Sequence, residues 1–151
     1  MKTLVSVLVA VILTAGASAA IAEATRNPVT FTPDSLNWVA GSGPTKGSWA
    51  ATLVGNPDKP GTAIVRVKMP DGYTNKPHYH VHDEYITVLS GTVLFGTGDA
   101  VNKADAKVLP AGSFIMVPAG VHHWSMAKGD TIVEVGGEGP QTNIPITSSS
   151  M

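Results

Sequence analysis

The chain has no cysteine, little charge and no long hydrophobic run. The missing cysteine rules out disulfide staples, thiolate metal ligands and lipid attachment through sulfur, so stability must come from packing, a metal or a partner subunit. Charged residues make up only 14% of the chain and nearly cancel, at a net charge of −1. Such a balance gives no electrostatic reason to bind nucleic acid or an anionic membrane. Leu4–Leu13 is apolar apart from Ser6, about half of the roughly 20 residues a spanning helix needs. Beyond it, no segment repeats apolar residues at helical spacing for more than a turn.

What that run does fit is an export signal. Lys2 supplies the positive start, the apolar stretch follows, and small residues continue through Ala24. Ala17-Ser18-Ala19 and Ala20-Ile21-Ala22 both suit a small-x-small cleavage site. A signal peptide over residues 1–22, cut after Ala19 or Ala22, predicts a periplasmic or secreted protein with no stable membrane anchor. Residues 28–146 then form one domain, long enough for a real core.

The rest is punctuated by 16 glycines and 11 prolines, which suits tight turns between short strands. Alternating runs occur at Val29–Thr32, Ser48–Val54, Ala63–Met69, Glu84–Ser90, Thr92–Phe95, Ser113–Val117, Val121–Met126 and Asp130–Val135. Turn formers such as Pro70-Asp71-Gly72 and Lys128-Gly129-Asp130 bound them. The pattern predicts an all-β sandwich or barrel. Asp99–Lys107 reads as a surface loop or a single helical turn, Gly41–Gly47 as a mobile loop, and Thr147–Met151 as a frayed end.

All five histidines fall in two patches. The first reads Gly72-x5-His78-x-His80-x3-Glu84-x6-Gly91, and the second Gly112-x5-Pro118-x-Gly120-x2-His123. Imidazoles gathered with a carboxylate in a cysteine-free chain point to one divalent metal site of N and O ligands. His78, His80, His82 and Glu84 share strand parity, so alternation alone admits all four. One ion cannot be reached by all of them along a straight strand of about 3.3 Å per residue, so the chain must bend between His80 and Glu84.

These two patterns resemble the paired motifs of the cupin superfamily. The first matches at every specified position. The second departs only at its last, where the family has asparagine and this chain has Ala127. The resemblance covers Gly72–Ala127 and implies a cupin-type jelly-roll β-barrel with a metal held by His78, His80, Glu84 and His123. It leaves His82 out of the ligand set, and it implies a homodimer, with Val29–Thr32 available to cross onto a partner's sheet. That ligand set suits Fe(II), Mn(II), Ni(II), Cu(II) or Zn(II). The function expected is that of a metal-dependent, dioxygenase-like oxidoreductase acting on a small molecule. The alternative is a non-enzymatic periplasmic cupin that binds a small molecule or a metal.

Other residues near the motifs have two readings. His122 and Asp83, of opposite parity to the ligands, are expected to face outward or to hold a turn. Tyr79, Tyr85, Phe95, Met116, Trp124 and Met126 could line a pocket, although core or dimer contact is the simpler role. Arg66 and Lys68 alternate with apolar neighbours as an outward strand face does, and Glu134 would be a general base only if its face turns inward.

Overall fold

The computed structural model describes residues 27–146; the signal peptide and the frayed end expected from the sequence lie outside them. The chain divides into two compact units, Met1–Thr30 and Phe31–Met151, and the fold is that of the second. Its described residues contain nine strands: β1 Val39–Ala40, β2 Trp49–Val54, β3 Gly61–Met69, β4 Thr74–Tyr79, β5 Glu84–Thr97, β6 Lys107–Pro110, β7 Phe114–Val117, β8 His123–Gly139 and β9 Ile144–Pro145. No α-helix occurs among the described residues. The protein is all-β, one curled antiparallel sheet of jelly-roll type.

Two long strands organise the sheet. β5 pairs with β8 from Glu84↔Gly137 to Thr97↔His123. Along its other edge β8 takes β3 over Thr131–Gly139 and then β4 over His123–Met126. The free edge of β5 is likewise shared, by β7 at Glu84–Thr87 and by β6 at Thr92–Phe95. Each long strand thus passes from one half of the fold to the other.

The sequence reads each of these strands as two, because a glycine sits at each break. In the fold Gly91 and Gly129 both adopt φ of +74°, bending the strand instead of ending it. A Cβ at Gly91 would collide with Thr131 and the Asp130 carbonyl. The buried Thr131 hydroxyl fills the bend, accepting from Thr92 N at 3.2 Å and donating to the Gly129 carbonyl at 3.0 Å.

Alternation sorts the side chains. Met69, Ile86, Val88, Val93, Phe95, Val117, Ala127 and Val133 form the core cluster, each large one contributing about 1.5–3 kcal/mol by leaving water. Arg66 and Glu134, opposite each other on β3 and β8, face away from the interior and pair at 3.0 Å. Glu134 therefore cannot serve as an internal base. Trp124, of opposite parity to His123, is buried against Gly96, its register partner, where a Cβ would strike the indole.

One expected strand is absent. Val29–Thr32 has no strand structure, and Val29 and Phe31 are exposed. Alternation supplies a face, but a strand also needs a neighbour for its backbone groups, and none lies alongside among the described residues. Asp99–Lys107 contains the single helical turn, Lys103–Asp105, capped by the Asn102 side chain. Gly41–Gly47 is more structured than a bare loop, with a 3-10 turn at Gly43–Thr45 tied by Ser48 Oγ donating to the Thr45 carbonyl at 2.8 Å.

Candidate metal centre

Three strand ends converge. His78 lies near the end of β4, His123 opens β8 as its register partner, and Glu84 opens β5. Between His80 and Glu84 the chain bends, as one-ion geometry requires. Gly120 N donates to the His80 carbonyl at 2.8 Å, and Ala119 N to Asp83 Oδ1 at 2.8 Å, so the second motif's turn clamps the bend. Asp83 thus holds a turn, as expected from its parity.

His78, His80 and His123 are 3%, 6% and 2% exposed, and their ligand nitrogens lie within 4.8 Å of one another. His82 is not in this group. Each clustered ring has its Nδ1 committed to a backbone carbonyl: His78 to Lys76 at 2.6 Å, His80 to Thr142 at 3.1 Å and His123 to Val121 at 3.0 Å. An Nδ1–H donated this way fixes the tautomer and turns the Nε2 lone pair inward. The Glu84 carboxylate completes the cluster, with Oε1 3.6 Å from His80 Nε2 and Oε2 3.2 Å from His123 Nε2.

His78 Nε2, His80 Nε2 and Glu84 Oε2 are buried with no hydrogen-bond partner among the described residues. The 3.2 Å approach of Glu84 to His123 is a hydrogen bond only when that imidazole is protonated, since its other N–H is already donated. Leaving such atoms unsatisfied costs about 1–3 kcal/mol each. Inward lone pairs on nitrogen and oxygen, without donors to meet them, are the donor set of a divalent cation.

The electrostatics differ from ring to ring. Burial, helped by the charge of His123, drives the His78 pKa down to about 4. Burial also lowers His80, outweighing the attraction of Glu84. Burial opposes ionisation of Glu84, but the hydrogen bond from His123 and the nearby imidazoles prevail and lower its pKa. His123 too is opposed by burial, yet the Glu84 carboxylate and the Val121 carbonyl raise it. Glu84 and His123 are therefore the pair that shares a charge.

His80, Glu84 and His123 form part of the wall of a cavity of about 330 Å³. Val65, Val67, Val133 and Val135 make one side apolar, while Ser48, Asn75, Ser125 and Asn143 add polar groups. Of the six large side chains considered from sequence, only Phe95 lines it, and its ring stacks on His123 at 5.8 Å. Trp124 is core, Tyr85 and Met116 are exposed, and Tyr79 stacks on His122 at 5.3 Å. His122 points out of the site to Asp99, 2.6 Å away.

Sequence reasoning missed the segment that follows β8. Thr142 orients His80 through its carbonyl, and Gln141 and Asn143 reach the cavity wall. They fall outside both motifs, and no spacing marks them.

A curled β-fold holding a histidine–carboxylate cluster at an internal cavity defines a class of small-molecule and metal-binding barrels. The family model described as Cupin domain matches residues 65–136, a span that holds all four candidate ligands, and the fold is of the cupin type. Germin-like protein subfamily 3 member 2 of Arabidopsis thaliana is 38% identical over 79 residues, covering 51% of this chain and 35% of that protein. The chain thus spans about a third of that relative's length. The polyketide cyclase RemF from Streptomyces resistomycificus superposes with a TM-score of 0.63 at 16% identity, over 80% of this chain and 87% of its own. An oxalate oxidase structure gives 0.52 at 21% identity, over 72% and 60%. At these identities the likeness to both enzymes is one of fold.

Proposed function

We propose that this chain is an exported metalloprotein, binding one divalent ion through His78, His80, Glu84 and His123, and that it acts as a dioxygenase-like oxidoreductase on a small molecule. The observation that carries the metal is the set of inward, buried and unpartnered Nε2 and carboxylate atoms beside a cavity. Three neutral nitrogens and one carboxylate suit Fe(II), Mn(II), Ni(II), Cu(II) or Zn(II), and a redox-active member of that series would supply the oxygen or electron chemistry. Within the chain, Nδ1 bonds orient the rings, Glu84 supplies the negative charge, and the valine-lined wall excludes water from the substrate's apolar part. No lysine or arginine is among the cavity-lining residues. The substrate class that fits is a small molecule with an apolar body and hydrogen-bonding oxygens, not a polyanion.

A second reading has its own support. Glu134 pairs outward with Arg66, which removes the acid or base that sequence suggested for the interior. A non-enzymatic periplasmic cupin that holds a small molecule or a metal accommodates that. Elemental analysis of protein purified without tag or added metal separates the two readings. Iron or manganese near one per chain supports the oxidoreductase; a chain free of metal supports the binding protein.

Export and pairing belong to the same proposal. The mature chain should begin at Ala20 or Glu23, which intact mass from the native host tests; a species retaining Met1 would refute it. A homodimer is supported by the one-sided pairing of β7 among the described residues and by the exposed Phe114 and Met116 on it. A monomer mass by light scattering at micromolar concentration would contradict it.

A further inference from the structure

Beyond the four candidate ligands, one side chain behind the site has a buried polar atom that the fold leaves without use. Gln141 Nε2 is buried and has no hydrogen-bond partner among the described residues. A buried amide donor in that state costs about 1–3 kcal/mol, so its retention calls for a function.

Its position supplies one. Gly137 is the register partner of Glu84, and a Cβ on Gly137 would come within 2.8 Å of Gln141 Nε2. The amide therefore occupies the space that a side chain at Gly137 would take, against the backbone opposite the carboxylate ligand. The segment is pinned there: Gln141 N donates to the Pro57 carbonyl at 2.8 Å, and the next carbonyl, Thr142, takes the His80 bond. Between these groups lies a second void of about 10 Å³, lined by His80, Asp83, Glu84 and Gln141 among others. A space of that size holds about one water molecule.

We propose that Gln141 is the positioning residue for Glu84. Its Nε2–H donates, through one water in this void, to the carboxylate and holds it in the orientation that ligates the ion. The pairing matches a buried donor without an acceptor, Gln141 Nε2, to a buried acceptor without a donor, Glu84 Oε2. Carboxylates that ligate metals are themselves held by hydrogen bonds, and loss of such a partner costs about 10–100-fold in metal affinity.

This inference rests on the metal reading of the same site, and the test separates the two. Wild type and Gln141→Met, which keeps the length but has no donor, are stripped of metal and titrated with Co(II), followed by visible absorption. The expected result is Co(II) affinity lower by about 10–100-fold with an altered band shape. The ion-free variant should melt at or above the wild-type temperature, because an unsatisfied donor has been removed. A merely structural glutamine would instead lower the ion-free melting temperature and leave the spectrum unchanged, and that result overturns the proposal. So does wild-type affinity in the variant. Should Gln141→Met fail to fold, Gln141→Asn withdraws the amide by one methylene, and unchanged Co(II) affinity there refutes the idea equally. A wild-type protein that binds no Co(II) overturns the metal reading and this inference with it.

Discussion

Loading the ion-free protein with Zn(II) in mild acid asks which ligands already stand ready. His78 is neutral at any pH well above about 4, and burial keeps His80 below the ordinary range as well. Glu84 is held ionised by His123 and the neighbouring rings, while His123 alone is raised by its contact with that carboxylate. Near pH 6.5 an entering ion therefore meets two imidazoles shifted toward the free form, a carboxylate and one imidazole shifted toward imidazolium, and it displaces close to a single proton. Below the His123 pKa the affinity should fall about tenfold per pH unit, close to 1.4 kcal/mol. Three unperturbed histidines, each near ~6.5, would instead approach a thousandfold loss per unit in the same region. Calorimetric titration in two buffers of different ionisation enthalpy, at about pH 6.5, where an unperturbed imidazole is half protonated, counts the protons directly. Release of well over one proton per ion would refute the assignment of His78 and His80 as neutral in the folded state.

Two further outcomes follow from the same geometry. The ion-free protein should lose stability on acidification: unfolded His78 takes a proton near 6.5 and the folded residue only at about 4. The loss therefore runs between those values and levels off below, by roughly 3 kcal/mol for this group. Denaturant melts at several pH values check it, and a flat profile from neutrality down to about pH 4 would contradict it. Gly96→Ala should destabilise the fold by about 1–3 kcal/mol, because the added methyl meets the buried Trp124 indole. Equilibrium unfolding measures this, and a neutral substitution would mean that the tryptophan repacks freely.

Much of this was legible in the sequence, for reasons tied to particular residues. The β class followed from alternation, and it held where both faces have definite fates, as in β3 with Val65 and Val67 inward and Arg66 outward. Apolar alternation did not mark β4, Thr74–Tyr79, whose inward side chain is His78; there only the histidine spacing read as strand. At Val29–Thr32 the pattern is present, and no neighbouring strand lies alongside among the described residues. The breaks at Gly91 and Gly129 looked like turns because a positive-φ glycine serves a bend and a turn alike. Gathering of the histidines was readable because two motifs record it. The carbonyl of Thr142 and the amide of Gln141 were not, since they reach the site through tertiary packing alone.

The claim that a cation is held by His78, His80, Glu84 and His123, and not by the neighbouring His82 and His122, is tested most directly by metal content. Wild type, His80→Ala, His123→Ala, His82→Ala and His122→Ala should be loaded identically, desalted and measured by elemental analysis. The inward, buried Nε2 atoms of the first pair and the outward or bend positions of the second set the expectation. His80→Ala and His123→Ala should lose stoichiometric metal, while His82→Ala and His122→Ala stay near wild type. Loss in His82→Ala with retention in His80→Ala would contradict the account.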